Sequence, residues 1–228
     1  LTTTDIDELS ATQVGALSAA QITALASTQV QELSTTQIGG LSSTQVGAIT
    51  ATNLSLLNAT QLGALTSTQI KGLTAGQMAG LTTNNISALA DTQVAALSST
   101  QLGALNATNF SALDGTQVAA LTETQIKGVT TTQLKALTTT DVAELSSTQV
   151  SALSAVQIGA LTATNFSALN ATQVGALNAT QIKGITADQI KGLSTTDVAE
   201  LANTQIGALS ADQIKNLSAT NLSALDAT

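Results

Sequence analysis

Large apolar residues fall on two positions of an eight-residue period that runs the length of the chain. Leu1, Leu9, Leu17, Leu25, Leu33 and Leu41 mark the first position, and the series continues to Leu225 with Ile49, Val129 and Ile185 as its departures. The second apolar position lies five residues on, at Ile6, Val14, Ile22 and Val30, and later at Met78, Phe110 and Phe166. Counted from the leucine, an octad reads Leu, Ser/Thr, small, Thr, Gln, Val/Ile, variable, Ala/Gly, and about 28 of them fill residues 1–228. A fixed period of this kind is the mark of a repeat architecture.

The polar positions decide between helix and strand. Thr, Val and Ile favour strands, so a β-solenoid is the alternative to weigh. The two apolar positions have opposite parity, however, and a straight strand would send them to opposite faces. Position two holds 10 Ser, 10 Thr, 4 Asn, 2 Asp and 3 Ala, which is the set preferred where a side-chain oxygen accepts an orphaned N–H at a helix start. With position two as the N-cap, position five is the third helical residue, where a capping box takes Gln or Glu. Position five is Gln in most octads, Asn at 53, 85, 109, 165 and 221, and Asp at 5, 141 and 197. Positions one and six then flank the start as a hydrophobic staple. Leu9, Ser10, Gln13 and Val14 show all four parts together.

One long helix fails, because eight residues advance it by about 800°, some 80° past two full turns, so the apolar face rotates away. The pattern predicts instead an all-α solenoid of very short N-capped helices, one per octad. Such helices are too short to stand alone, so stacking of neighbours must build the core. Three or four octads per superhelical turn is the expected geometry. The small residue at position eight, Ala or Gly, lets backbones approach. Position seven varies freely and carries all six lysines (Lys71, Lys127, Lys135, Lys183, Lys191 and Lys215), which marks it as solvent-facing. The whole of 1–228 reads as one continuous array. A seven-octad super-repeat overlies it, since Asn53, Asn109, Asn165 and Asn221 are 56 residues apart, as are Asp141 and Asp197. The pattern is running at both ends, so the segment is expected to belong to something longer.

Composition narrows the function classes. Charged residues make up 9% of the chain, against roughly 25% in an ordinary domain, while 43% is hydrophobic. That balance favours order over disorder. A net charge of −8 leaves no basic face for nucleic acid. No run of about 18 apolar residues is present to insert into a membrane. The chain has no His and no Cys, so hydroxyls recurring in every octad lack a histidine or thiol partner and read as caps rather than nucleophiles. No catalysis and no cofactor are expected.

One constellation carries chemistry. Asp5 with Glu8, Asp141 with Glu144, and Asp197 with Glu200 each sit three residues apart, on one helical face. Asp141, Glu144, Asp197 and Glu200 are therefore the candidates for a calcium site, although calcium wants six to eight oxygens. No acidic loop of that density exists, so no metal is assigned, and an exposed acidic patch or pairing with Lys135 or Lys191 is the plainer account of them. The amide row could serve a sugar, but the capping box already explains it. The Thr row at position four (Thr12, Thr28, Thr36 and Thr44) is similar to those of ice-binding β-solenoids and would need a flat β-face.

Runs such as Leu41 to Ile49, Leu-Ser-Ser-Thr-Gln-Val-Gly-Ala-Ile, resemble the octapeptide arrays of large repetitive bacterial surface proteins, commonly labelled adhesins or haem-utilisation proteins. The resemblance covers the whole chain. It implies a spacer, stalk or adhesive segment outside the cell, whose partners would be further copies, other surface proteins or glycans. It transfers no site residue, and Met78 alone could serve as an axial haem ligand. The alternative is a module that binds ice, glycan or calcium on a repetitive face.

Overall fold

The computed structural model describes residues 2–225. Leu1, the first of the position-one series, and residues 226–228 lie outside the described residues. Among these there are 28 short helices, from Thr3–Glu8 to Ala219–Leu225, one in each octad, and no strand. The solenoid is all-helical, and the β-solenoid alternative is corrected: each octad is locally committed to a helix start before any sheet partner is met.

Most octads are built the same way. The N-cap is extended, as at Ser98 (φ −74°, ψ 160°), and so is the leucine before it, Leu97 (φ −61°, ψ 142°). Two consecutive extended residues make the bend between helices. The helix Ser99–Ala104 then begins with a reciprocal capping box, in which the Ser98 hydroxyl accepts the Gln101 N–H (3.1 Å) and Gln101 Oε1 accepts the Ser98 N–H (2.8 Å). The helix closes when the next leucine donates its N–H to the position-six carbonyl, Leu105 to Leu102 at 3.2 Å. Among the described residues none, glycine included, has a positive φ, so the bends need no left-handed backbone. Ala26, Ala90 and Ala202 cap without a side-chain acceptor. At Ala90 and Ala202 the third helical N–H turns to the cap's own carbonyl instead (2.9 and 2.8 Å).

The described chain divides into two compact units, residues 1–120 and 121–228. In each, a helix packs on the helix three octads away. In the first unit α2 (Ala11–Gly15) meets α5 (Thr35–Gly39), and α6 (Ser43–Ala48) meets α9 (Ser67–Lys71). In the second, α21 (Ala163–Ser167) meets α24 (Ala187–Gly192). Stacking brings positions one and six together as the core, with Val46, Leu54, Ile70, Ile158 and Ile182 fully buried. Each such side chain contributes about 1.5–3 kcal/mol on burial. Phe110 and Phe166 occupy ordinary position-six slots in it. The six lysines at position seven are all exposed.

Position eight is Ala or Gly in most octads, and where it is Gly turns touch there. A Cβ added to Gly184 would come within 2.7 Å of the Ala155 Cβ and press on the Ala155 carbonyl. Position seven is uneven: a Cβ at Gly63 or Gly175 would meet nothing, whereas at Gly15, Gly47 and Gly159 it would come within 2.7 Å of a backbone carbonyl.

Candidate functional site: the amide row and the acidic octads

The position-five amide is the most repeated polar group in the molecule, and it does more than cap its own helix. Gln77 Oε1 accepts the Thr74 N–H (2.7 Å), which is the local half. Its Nε2 donates to Val46 O (2.8 Å) and Ile49 O (2.7 Å), 31 and 28 residues back. Those two carbonyls flank a bend in the preceding turn. One is the position-six carbonyl at the end of a helix, which also accepts the N–H of the next position-one residue (Ile49 to Val46, 3.2 Å). The other lies in the bend itself. A single glutamine thus caps the start of its own helix and the end of the helix beneath. Gln37, Gln69, Gln93, Gln101 and Gln117 repeat the arrangement in the first unit. Gln157, Gln173, Gln181, Gln189, Gln205 and Gln213 repeat it in the second. All of these glutamines are buried.

A stack three octads away, combined with a reach of 28 residues, places between three and four octads in a turn. The 56-residue super-repeat is twice that reach. Its variant octads are the ones that alter the row. Asparagine is one methylene shorter and reaches only the bend carbonyl: Asn53 meets Leu25 O (2.9 Å) and Asn165 meets Leu137 O (2.6 Å). In α7 (Ala51–Ser55), α14 (Ala107–Ser111) and α21 the reciprocal half of the capping box is lost with it.

The acidic octads replace the donor altogether. Asp197 is half-buried. Its Oδ2 accepts the Ser194 N–H (2.7 Å) and also the hydroxyl of Ser167, in the turn below. Beside it, among Phe166, Leu169, Ile190 and Leu193, lies a void of about 10 Å³. Glu200, on the same helical face, has its Oε2 buried without a hydrogen-bond partner. Burial, and then the neighbouring Asp197, push the Glu200 carboxyl up. Asp141 keeps the capping half of its role, with Oδ2 accepting the Thr138 N–H (2.8 Å), and Glu144 is half-buried like Glu200. In the first octad Asp5 accepts the Thr2 N–H (2.6 Å). That backbone hydrogen bond, then the one with the Thr2 side chain, holds its carboxyl below the usual range. Each acidic pair contributes two carboxylates. Among the described residues no group of three or more His, Cys, Asp or Glu gathers as a metal cluster would. An ion pair is formed by Lys215 with Asp212 (3.5 Å) on an exposed helix face.

The Thr row at position four is exposed, as at Thr12, Thr28, Thr36 and Thr44. It is carried on separate short helices rather than on a flat sheet, so the β-face that an ice-binding surface requires is not built. Among the described residues no helix is long and apolar enough to cross a membrane.

Fold and row together define a helical repeat protein in which the recurring amides serve the stacking of turns. A family model described as the ALTTAQ repeat matches residues 129–163, four octads and the opening of a fifth. No curated protein matches the chain.

Proposed function

We propose that the chain is a structural spacer or adhesive segment of a bacterial surface protein, without catalysis. The observation that carries this reading is the amide row. The glutamines that recur at position five have both ends of the amide engaged, one in the cap of their own helix and the other in the turn 28 and 31 residues back. What faces solvent is the freely varied position seven and the small hydroxyls of position four. A molecule whose recurring amides hold turn to turn is suited to setting a distance, because stability is a sum over neighbours and length follows copy number. Placement outside the cell rests on the resemblance of the octads to those of repetitive bacterial surface proteins.

The test is a series of chains with seven octads removed or added, measured by small-angle X-ray scattering. The expected result is a maximum dimension that changes by a constant increment per octad. A dimension that grows only as the cube root of mass would overturn the spacer reading. Thermal melting with and without Ca²⁺ tests the alternative of a ligand module. The spacer reading expects no shift in melting temperature. A calcium-dependent rise, lost on replacing Asp197 and Glu200, would favour the module.

A further inference from the structure

One place in the super-repeat is filled by an amide in one copy and by an acid in another. Asn85 and Asp197 stand 112 residues apart (197 − 85), twice the 56-residue period. They sit in α11 (Thr83–Ser87) and α25 (Thr195–Ala199). At Asn85 a short side chain does both jobs of the row. Its Oδ1 accepts the Thr82 N–H (2.9 Å), and its Nδ2 donates to the Leu57 carbonyl, 28 residues back, at 3.2 Å. Asp197 has a side chain of the same length and no side-chain N–H. Its Oδ2 takes the Ser194 N–H and the Ser167 hydroxyl. The carbonyl that corresponds to Leu57 is that of Leu169, and an ionised carboxylate has nothing to donate to it.

The surroundings fit a joint left open at this one point. The amides on either side bridge normally, Gln189 to the Ile158 and Leu161 carbonyls and Gln205 to those of Val174 and Leu177. Asp197 and Leu169 line the same void of about 10 Å³. That is the lower limit of the space a water needs, and the other walls are apolar. Among the described residues α24 packs closely on both α21 and α27 (Ala211–Asn216), whereas α25 packs closely on α28 (Ala219–Leu225) alone. Few charges act here. The helices α21, α22 (Ala171–Gly175) and α28 bring no ionisable side chain. Asp188 and Lys191 of α24 are exposed. The charged neighbour is Glu200, at the end of the same helix.

We propose that Asp197 is a proton-operated latch between α25 and the turn below. Ionised, it leaves the Leu169 carbonyl without a bridge. Protonated at Oδ1, with Oδ2 keeping its two donors, it gives its O–H to that carbonyl, as Asn85 Nδ2 gives its N–H to Leu57. The proton comes from solvent, and hydrogen bonds are all that change. Acid therefore closes the joint and neutral pH opens it. Glu200 acts in the same sense, because its Oε2 is buried without a hydrogen-bond partner and its charge is costly while the joint is closed. The inference rests on the amide row and not on the spacer reading.

The experiment is hydrogen exchange read by mass spectrometry at neutral pH and in acid. Protection of the α25 amides is measured relative to those of α24 in the same molecule, which also reports that each variant has folded. The background is Glu200→Ala, the residue at the corresponding Ala88, so that the position-five carboxyl is what titrates at this joint. In that background the relative protection of α25 is expected to rise about fivefold in acid, the worth of one net hydrogen bond. Adding Asp197→Asn, which restores the Asn85–Ala88 pair, should give the raised protection already at neutral pH and abolish the response. Asp197→Ala, with neither donor nor acceptor, should leave protection low at both. No rise in acid, a rise that survives Asp197→Asn or Asp197→Ala, or an Asp197→Asn chain no better protected than its parent at neutral pH would overturn the proposal.

Discussion

Gln13 and Gln77 occupy the same position of their octads, and the molecule treats them differently. Both complete a capping box, with Oε1 at 2.8 and 2.7 Å from the N–H of Ser10 and Thr74. Gln77 is 2% exposed and binds two carbonyls of the turn below, while Gln13 lies open at the end of the first unit with no turn beneath it. The difference separates what a residue does for its own helix from what it does for the stack. The capping half is local and equal at both sites. The bridging half exists only where another turn supplies acceptors, and it is there that a polar side chain is buried at no loss, because its hydrogen-bonding groups are met.

The sharpest way to break the comparison is to keep the acceptor and remove the donor. Gln77→Glu is expected to lose about 4 kcal/mol at neutral pH, since a carboxylate would be buried against two carbonyls with nothing to neutralise it. Gln13→Glu should change stability by less than about 0.5 kcal/mol, because a charge at an exposed helix start is tolerated or mildly favoured. Urea denaturation of both variants measures the gap, and equal losses at the two sites would remove the bridging role.

The local half is isolated by the caps that lack a hydroxyl. Ala90 already has the extended backbone of its neighbours, so Ala90→Ser should gain about 1 kcal/mol, the size of an N-cap hydrogen bond. The reverse change, Ser98→Ala, should lose a similar amount. Melting of the pair checks both signs, and no change in either would count against capping as the origin of the helix starts.

The smallest expected effect lies where a donor has been replaced by an acid. Burial and Asp197 raise the Glu200 carboxyl in the folded chain, so the fold favours its neutral form. Below the ordinary glutamate value of 4.5 the group is neutral folded and unfolded, and it carries no penalty. As the pH rises through the raised folded value, the charged form is disfavoured and stability falls. Glu200→Ala, which installs the residue found at this position in the neighbouring octad at Ala208, should therefore stabilise the chain at neutral pH and lose that advantage in acid. Denaturation midpoints at the two pH values test the sign.

Much of this was legible in the octad. Capping spans four residues, so Ser10 with Gln13, or Thr74 with Gln77, announces a helix start without reference to the rest of the chain. The position-seven lysines read as solvent-facing and are exposed. The second role of the amide was missed, because its partners lie 28 and 31 residues away and are backbone groups with no side-chain signature. One trace of it is present: a capping box accepts Glu as readily as Gln, yet none of the chain's glutamates (Glu8, Glu32, Glu123, Glu144 and Glu200) stands at position five. Only an amide carries both an acceptor for its own cap and a donor for the turn below. The acidic pairs were equally visible as pairs, but not that Asp197 takes a hydroxyl from Ser167 or that the Glu200 Oε2 is buried.

The sequence by itself determined the helix in each octad, its start, and the two side chains it buries, because capping and amphipathic spacing act within one or two turns of chain. Tertiary structure alone decided that a helix rests on the one three octads away and that an amide becomes a bridge. Stacking joins groups separated by about three and a half octads, and the octads on either side of that gap carry the same local pattern. Only the geometry of the bends, summed over several of them, fixes which copy meets which.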